Sequence, residues 1–209
     1  MTMISVLLLS CNKHEELIVI SGRMVDPKQN INIQGVKVEV WAQKIEYGIY
    51  SAHYDNYGSQ LSSSTGEFSF ELENLTYASV KLSFSKDNYY FWEYEIDGDV
   101  IKNNLVHNET YQMQAKAWIQ FIIKNENPVD IRDYFDFRIM NGITQCETCC
   151  LGETFKFNGT GVDEEFICQM VGYEDVSIMW NSCKGSVQTG NVELFFIPAF
   201  DTTRIEFIY

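Results

Sequence analysis

Basic side chains are scarce in this 209-residue chain: 15 Lys and Arg stand against 29 Asp and Glu, a formal net charge of −14. Binding a nucleic-acid backbone needs a surplus of cations to displace counterions along the phosphates, and no basic stripe supplies one, so nucleic acid is excluded as a partner. The acidity reads as solubility and repulsion from anionic surfaces. Proline occurs only 3 times, which excludes a linker or a stalk. Histidine is equally rare, and His14, His53 and His107 all lie away from the cysteine-rich stretch. Nucleophilic catalysis by Ser or Cys most often needs a His base, and nothing singles out a carboxylate pair of the glycosidase kind. No catalytic residue, cofactor or metal is therefore assigned. The apolar run Met3–Leu9 falls far short of the roughly 20 residues that cross a bilayer as a helix.

What the chain has is apolar and aromatic mass in alternating order. Hydrophobic residues make up 45% of it, with 12 Tyr and 14 Phe, enough for a core and suited to pleated surfaces. Val36, Val38 and Val40 alternate with polar neighbours, as do Phe68, Phe70 and Leu72, and Val80, Leu82 and Phe84. After the polar stretch Lys102–Glu109 the pattern resumes with Ile119, Phe121 and Ile123, then Phe135, Phe137 and Ile139, then Val176, Ile178 and Trp180, and finally Ile205, Phe207 and Tyr209. Period-two alternation predicts strands buried on one face. Thr65-Gly66 and Asp97-Gly98 supply turns expected to need positive φ. The reading is all-β, two antiparallel β-sandwich domains in tandem, with the C-terminus tied into a sheet.

Leu8-Leu9-Ser10-Cys11, directly after the apolar run, resembles the lipobox of bacterial lipoproteins. The resemblance implies acylation of Cys11 and removal of the residues before it, leaving a membrane as partner through lipid on that sulfur. Several acyl chains hold a water-soluble domain firmly where one would hold it only reversibly. No Lys or Arg precedes Cys11, a departure from signal peptides that residues upstream of Met1 would explain. The charged Asn12–Glu16 stretch reads as a tether and resembles surface-export signals of some Gram-negative lipoproteins, so the expected location is the cell envelope, at the outer membrane or cell surface. The expected organisation is a signal segment 1–11, a tether 12–16, a first sandwich 17–106 and a second 107–209.

Ile20-Ser21-Gly22-Arg23-Met24-Val25-Asp26, then Ile33-Gln34-Gly35-Val36-Lys37-Val38-Glu39-Val40, then Ser64-Thr65-Gly66-Glu67-Phe68-Ser69-Phe70 follow an order that resembles the carboxypeptidase regulatory-like domain. That resemblance implies a transthyretin-like sandwich acting as a structural or presenting module over residues 17–106. The second half is expected to form an immunoglobulin-like or related sandwich. The function expected is a non-enzymatic surface module that binds or presents something, as an accessory to glycan capture or as an assembly subunit joining partners along exposed sheet edges.

An insertion, Ile45–Leu61, separates the second strand of that pattern from the hairpin and carries Tyr47, Tyr50, Tyr54 and Tyr57. Their spacing of three and four allows a helical turn to stack them on one face as a platform for a glycan or protein, although Gly48 and Gly58 oppose a long helix. The alternative is a loop whose rings cover the end of the sandwich. Cys146, Cys149, Cys150, Cys168 and Cys183 lie in the second half. They allow a thiolate metal site or a redox pair, but outside the cytoplasm disulfides are the default. Asp97, Asp99, Asp130, Asp133 and Asp136 lack the spacing of a calcium loop and are expected to be turn and surface acids. Three Asn-x-Thr sequons, at Asn74, Asn108 and Asn158, are read as chance.

Overall fold

The computed structural model describes residues 16–141, 149–150 and 152–209. The expected signal segment, nearly all of the tether, Cys11 and Cys146 lie outside the described residues. The first half contains β1 (Leu17–Asp26), β2 (Ile31–Asn32), β3 (Lys37–Glu46), β4 (Ile49–Tyr50), β5 (Asp55–Leu61), β6 (Glu67–Glu73), β7 (Tyr77–Ser85), β8 (Trp92–Asp97), α1 (Gly98–Asn103) and β9 (Val106–Gln112). The second contains β10 (Lys116–Lys124), β11 (Tyr134–Ile139), β12 (Thr154–Asn158), β13 (Asp163–Val171), β14 (Glu174–Lys184), β15 (Val187–Ile197) and β16 (Thr202–Ile208). No helix among the described residues is long and apolar enough to cross a membrane.

Each half is a two-sheet sandwich, and the two share one topology. In the first, β6-β1-β9 forms one sheet, with β2 at the end of β1, and β5-β3-β7-β8 the other, with β4 beside β3. In the second, β13-β10-β16 faces β12-β11-β14-β15. The opening strand of each sandwich lies antiparallel to one neighbour and parallel to the closing strand, Val19 to Val25 of β1 against Val106 to Gln112 of β9, and Trp118 to Lys124 of β10 against Thr202 to Ile208 of β16. All the other named strand pairs are antiparallel, as the alternating pattern led one to expect. The second half is a sandwich related to the immunoglobulin type, in which the first strand pairs with the fourth and the last. The C-terminal strand is tied into a sheet, as its alternation predicts.

The alternating residues form the cores. Val36, Val38 and Val40 meet Val80, Leu82 and Phe84, with Ile18, Ile20 and Met24 from β1 across the sandwich. Ile119, Phe121, Ile123, Phe135, Phe137, Ile139, Val176 and Ile178 build the second core. The first core runs to Met113 and Ala115, past the expected boundary at 106, because β9 completes the first sheet and is no linker. His107 lies on that strand and is buried.

The Gly66 turn has φ +78°, and a side chain there would press on the Met24 carbonyl. Gly98 behaves differently from the expected positive-φ turn. It opens α1, capped by Asp97 accepting from the Asp99 N–H at 2.7 Å, and is needed because a Cβ would strike the Tyr77 carbonyl oxygen.

The sandwiches dock through a short junction. The Lys116 N–H donates to the Asn88 carbonyl at 2.7 Å, the Phe200 N–H to the Lys116 carbonyl at 2.8 Å, and the Gly172 N–H to the Ala115 carbonyl at 2.9 Å. Tyr89 and Phe200 meet at 5.3 Å, and the Tyr90 hydroxyl reaches the Met170 carbonyl.

Asp133 corrects the expectation of a surface acid. Its side chain has no solvent exposure and accepts from the Val129 N–H at 2.7 Å, the Gly185 N–H at 2.9 Å and the Asn125 amide at 3.1 Å. These backbone bonds hold its pKa well below the carboxylate range. A depressed folded pKa contributes stability that is complete above the ordinary carboxylate pKa and is lost as pH falls toward the folded value. Asp133→Asn is expected to lower Tm by at least about 5 °C at neutral pH and to flatten the acid limb of a Tm-against-pH curve followed by tryptophan fluorescence.

Candidate functional site

The tyrosine insertion does not fold as a helical turn. Tyr47 (φ 52°) and Gly48 (φ 77°) make the tight turn between β3 and β4, with Tyr47 fully exposed. Tyr50 pairs with Ile45 across that turn. The Tyr54 hydroxyl donates to Glu95 at 2.6 Å and lies 2.9 Å from the Ser79 hydroxyl, holding the Glu95 carboxyl below its ordinary pKa. Tyr57 packs against the first core, edge-on to Tyr77 at 5.9 Å. Strand geometry sends Tyr47, Tyr54 and Tyr57 to three different tasks, so they do not form one stacking platform.

The cysteines divide similarly. Cys150 and Cys168 form a disulfide between the β11–β12 connection and β13. Cys149 is also disulfide-bonded, and its sulfur lies 3.4 Å from the Tyr90 hydroxyl. Cys183 is a buried free thiol on β14 that donates to the Gly185 carbonyl. Oxidation removes Cys149, Cys150 and Cys168 from any thiolate set, and no group of three or more metal-ligating side chains gathers among the described residues.

The topology draws attention instead to the seam between the last two strands of each sandwich. In the first, that seam holds α1, which packs on β7 and β8 and sends Ile101 into the core. The edge strand there, β8, is 6 residues long and carries Glu93, Glu95 and Asp97. The second sandwich has no such helix between β15 and β16. A cleft of about 390 Å³ opens at the opposite end of this seam, walled by the end of β14 and the start of β15 on one side and the end of β16 on the other.

Core aromatics form the floor of this cleft: Phe135 stacks on Trp180 at 6.0 Å and on Tyr209 at 5.3 Å, with Phe207 at 5.0 Å. Polar groups line the walls. The Trp180 indole N–H donates to Glu193 at 2.7 Å, the Ser182 and Thr189 hydroxyls meet at 2.7 Å, and the Lys184 ammonium donates to the Asn127 carbonyl at 2.7 Å. Burial, with the nearby Asp133 charge, raises the Tyr209 hydroxyl pKa, keeping it neutral.

β15 itself is an edge strand of 11 residues, paired on one side with β14. Its outward face exposes Val192, Leu194 and Phe196, each more than half accessible, with Met179 opposite Val192. Its one charged residue, Glu193, is occupied with Trp180. Natural edge strands are usually short, charged or covered, and β8 is all three. β15 is none of them. Sequence reasoning passed over this strand; its sparse charge between Lys184 and Asp201 was the readable signal.

No protein-family model matches the chain, and no curated protein matches its sequence. Among solved structures it is similar to the Bacillus anthracis TIE protein, at 11% identity over 91% of this chain and 34% of that one, with a TM-score of 0.39. A streptococcal ancillary pilin is similar at 11% identity over 93% of this chain and 63% of that one, TM-score 0.39. The minor pilin of Streptococcus agalactiae is similar at 10% identity over 91% of this chain and 94% of that one, TM-score 0.34. The chain spans about a third of the TIE protein and under two thirds of the ancillary pilin.

Proposed function

We propose that this chain is a non-enzymatic, lipid-anchored module of the bacterial cell surface that captures an extended segment of a partner protein along β15. The observation that carries the reading is the contrast between two copies of one topology: the first has a short, acidic edge strand with α1 packed against its end, and the second leaves a long, nearly uncharged edge strand open beside an aromatic cleft. A peptide strand added to β15 gains main-chain hydrogen bonds along the free edge, and its alternate side chains are placed over the aromatic cleft. Apolar or aromatic residues at those positions suit a floor of Phe135, Trp180 and Phe207. The lipobox at Cys11 and the Cys150–Cys168 disulfide support a location outside the cytoplasm.

The experiment has two arms. Palmitate labelling in cells is expected to mark the chain and to be lost in Cys11→Ser, with release from the membrane fraction; an unlabelled, cytosolic native chain refutes the anchor. Selection from a library of extended peptides is expected to yield binders of roughly micromolar affinity that slow hydrogen exchange of β15 amides. Leu194→Lys, at a site 67% exposed, is expected to weaken them at least tenfold without lowering Tm. Binders that leave β15 exchange unchanged, or that tolerate Leu194→Lys, refute the edge.

A further inference from the structure

Lysines gather in one place on this acidic molecule. Lys37 at the start of β3, Lys86 after β7 and Lys116 at the start of β10 line a hollow of about 480 Å³, together with Gly35, Asp87, Tyr89 and Phe91. We infer that this hollow binds a small organic anion carrying a ring, its oxyanion held by the lysines and its ring laid against Phe91. The site lies on other strands than β15 and is independent of the strand-capture reading.

The charge balance is the first argument. Three of the 15 basic residues converge here with Asp87 as the one lining carboxylate, although acids outnumber bases about two to one in the chain. Like charges drawn together from three distant segments repel one another, and a bound anion relieves that repulsion. Two of the lysines are fixed by protein contacts: Lys37 pairs with Glu39 at 2.8 Å, and the Lys116 ammonium lies 5.6 Å above the Tyr90 ring. Lys86 is half-buried and makes no ion pair among the described residues. It is the cation left for a ligand.

Shape is the second argument. The backbone at residue 35 has φ +71°, which glycine adopts readily, and the missing side chain leaves open floor beneath the Lys86 ammonium. Phe91 is 60% exposed beside these cations, and Tyr89 is held by Phe200 at 5.3 Å. An exposed ring next to ammonium groups offers a stacking face and a charge to one ligand, and Asp87 offers an acceptor for its hydroxyls. The volume suits a molecule of monosaccharide size. Because Lys116 begins the second sandwich while the other lining residues belong to the first, an occupied site also ties the two sandwiches together.

Calorimetric titration of the whole chain with glucuronate, glucose 6-phosphate, inorganic phosphate and glucose tests this. Glucuronate or glucose 6-phosphate is expected to bind with Kd of about 1 mM or tighter and to raise Tm, with weaker binding at higher salt. Which of the two binds better assigns the oxyanion as carboxylate or phosphate. Lys86→Ala is expected to weaken binding at least tenfold, and Phe91→Ala to weaken the sugar anions while sparing inorganic phosphate; both residues are accessible enough to change without unfolding the chain. Leu194→Lys is expected to leave all four titrations unchanged, which separates this site from β15. The proposal is overturned if neither sugar anion binds below about 10 mM, if glucose binds equally well, or if Lys86→Ala binds like the native chain.

Discussion

Phe137→Ala is expected to destabilise the second sandwich by about 4 kcal/mol, the cost of deleting a fully buried ring whose space cannot collapse. Phe137 has no solvent exposure and sits where both sheets meet. Its ring lies 4.6 Å from Phe121 on one sheet and 4.9 Å from Phe155 on its own, with Phe166 and Phe207 at 6.2 and 5.9 Å. Those partners come from β10, β12, β13 and β16, so the resulting void touches most of the strands. Urea unfolding followed by tryptophan fluorescence reads the change. Phe155→Ala, at a half-buried rim position, is expected to cost less than half as much. Equal losses at the two positions would refute the central role assigned to Phe137.

Removing the Cys150–Cys168 disulfide with a double alanine substitution is expected to cost about 3 kcal/mol, because the unfolded chain regains the freedom of the closed loop. The bridged residues are 18 apart in sequence. For a sandwich of about 100 residues that is a fall in Tm of roughly 12–24 °C, and a reducing agent, which also opens the disulfide of Cys149, is expected to produce at least as large a fall in the native protein. Cys183→Ala serves as the control: its buried thiol closes no loop, so its loss is confined to packing, about 1 kcal/mol. A native chain whose Tm ignores the reducing agent would remove the redox argument for an extracytoplasmic location and leave it on Cys11 alone.

The candidate sites were less legible than the fold, for a reason visible in individual residues. The tyrosines stood out by spacing, yet Tyr57 faces the core and Tyr54 bonds across to Glu95. Lys37, Lys86 and Lys116 were invisible as a group because nothing in their spacing announces that the ends of three strands meet. Asp133 looked like any turn acid until the Val129 and Gly185 amides closed on it from both sides. The open edge of β15 differs from a covered one only through what lies beside it.

Alternation along one strand is a local property, because successive side chains point to opposite faces whatever the neighbouring strand is. Reading residues in order was therefore enough to establish the all-β class, two alternating blocks, and inward faces such as Val80, Leu82 and Phe84 or Ile119, Phe121 and Ile123. Strand partnership is non-local. The parallel pairing of β1 with β9 and of β10 with β16, the first core's extension to Ala115, the repeat of one topology and the seam left open beside β15 all arise when distant segments choose neighbours. That choice is made by packing two sheets together in three dimensions, where the free energy of a pairing belongs to both strands and to neither one's sequence alone.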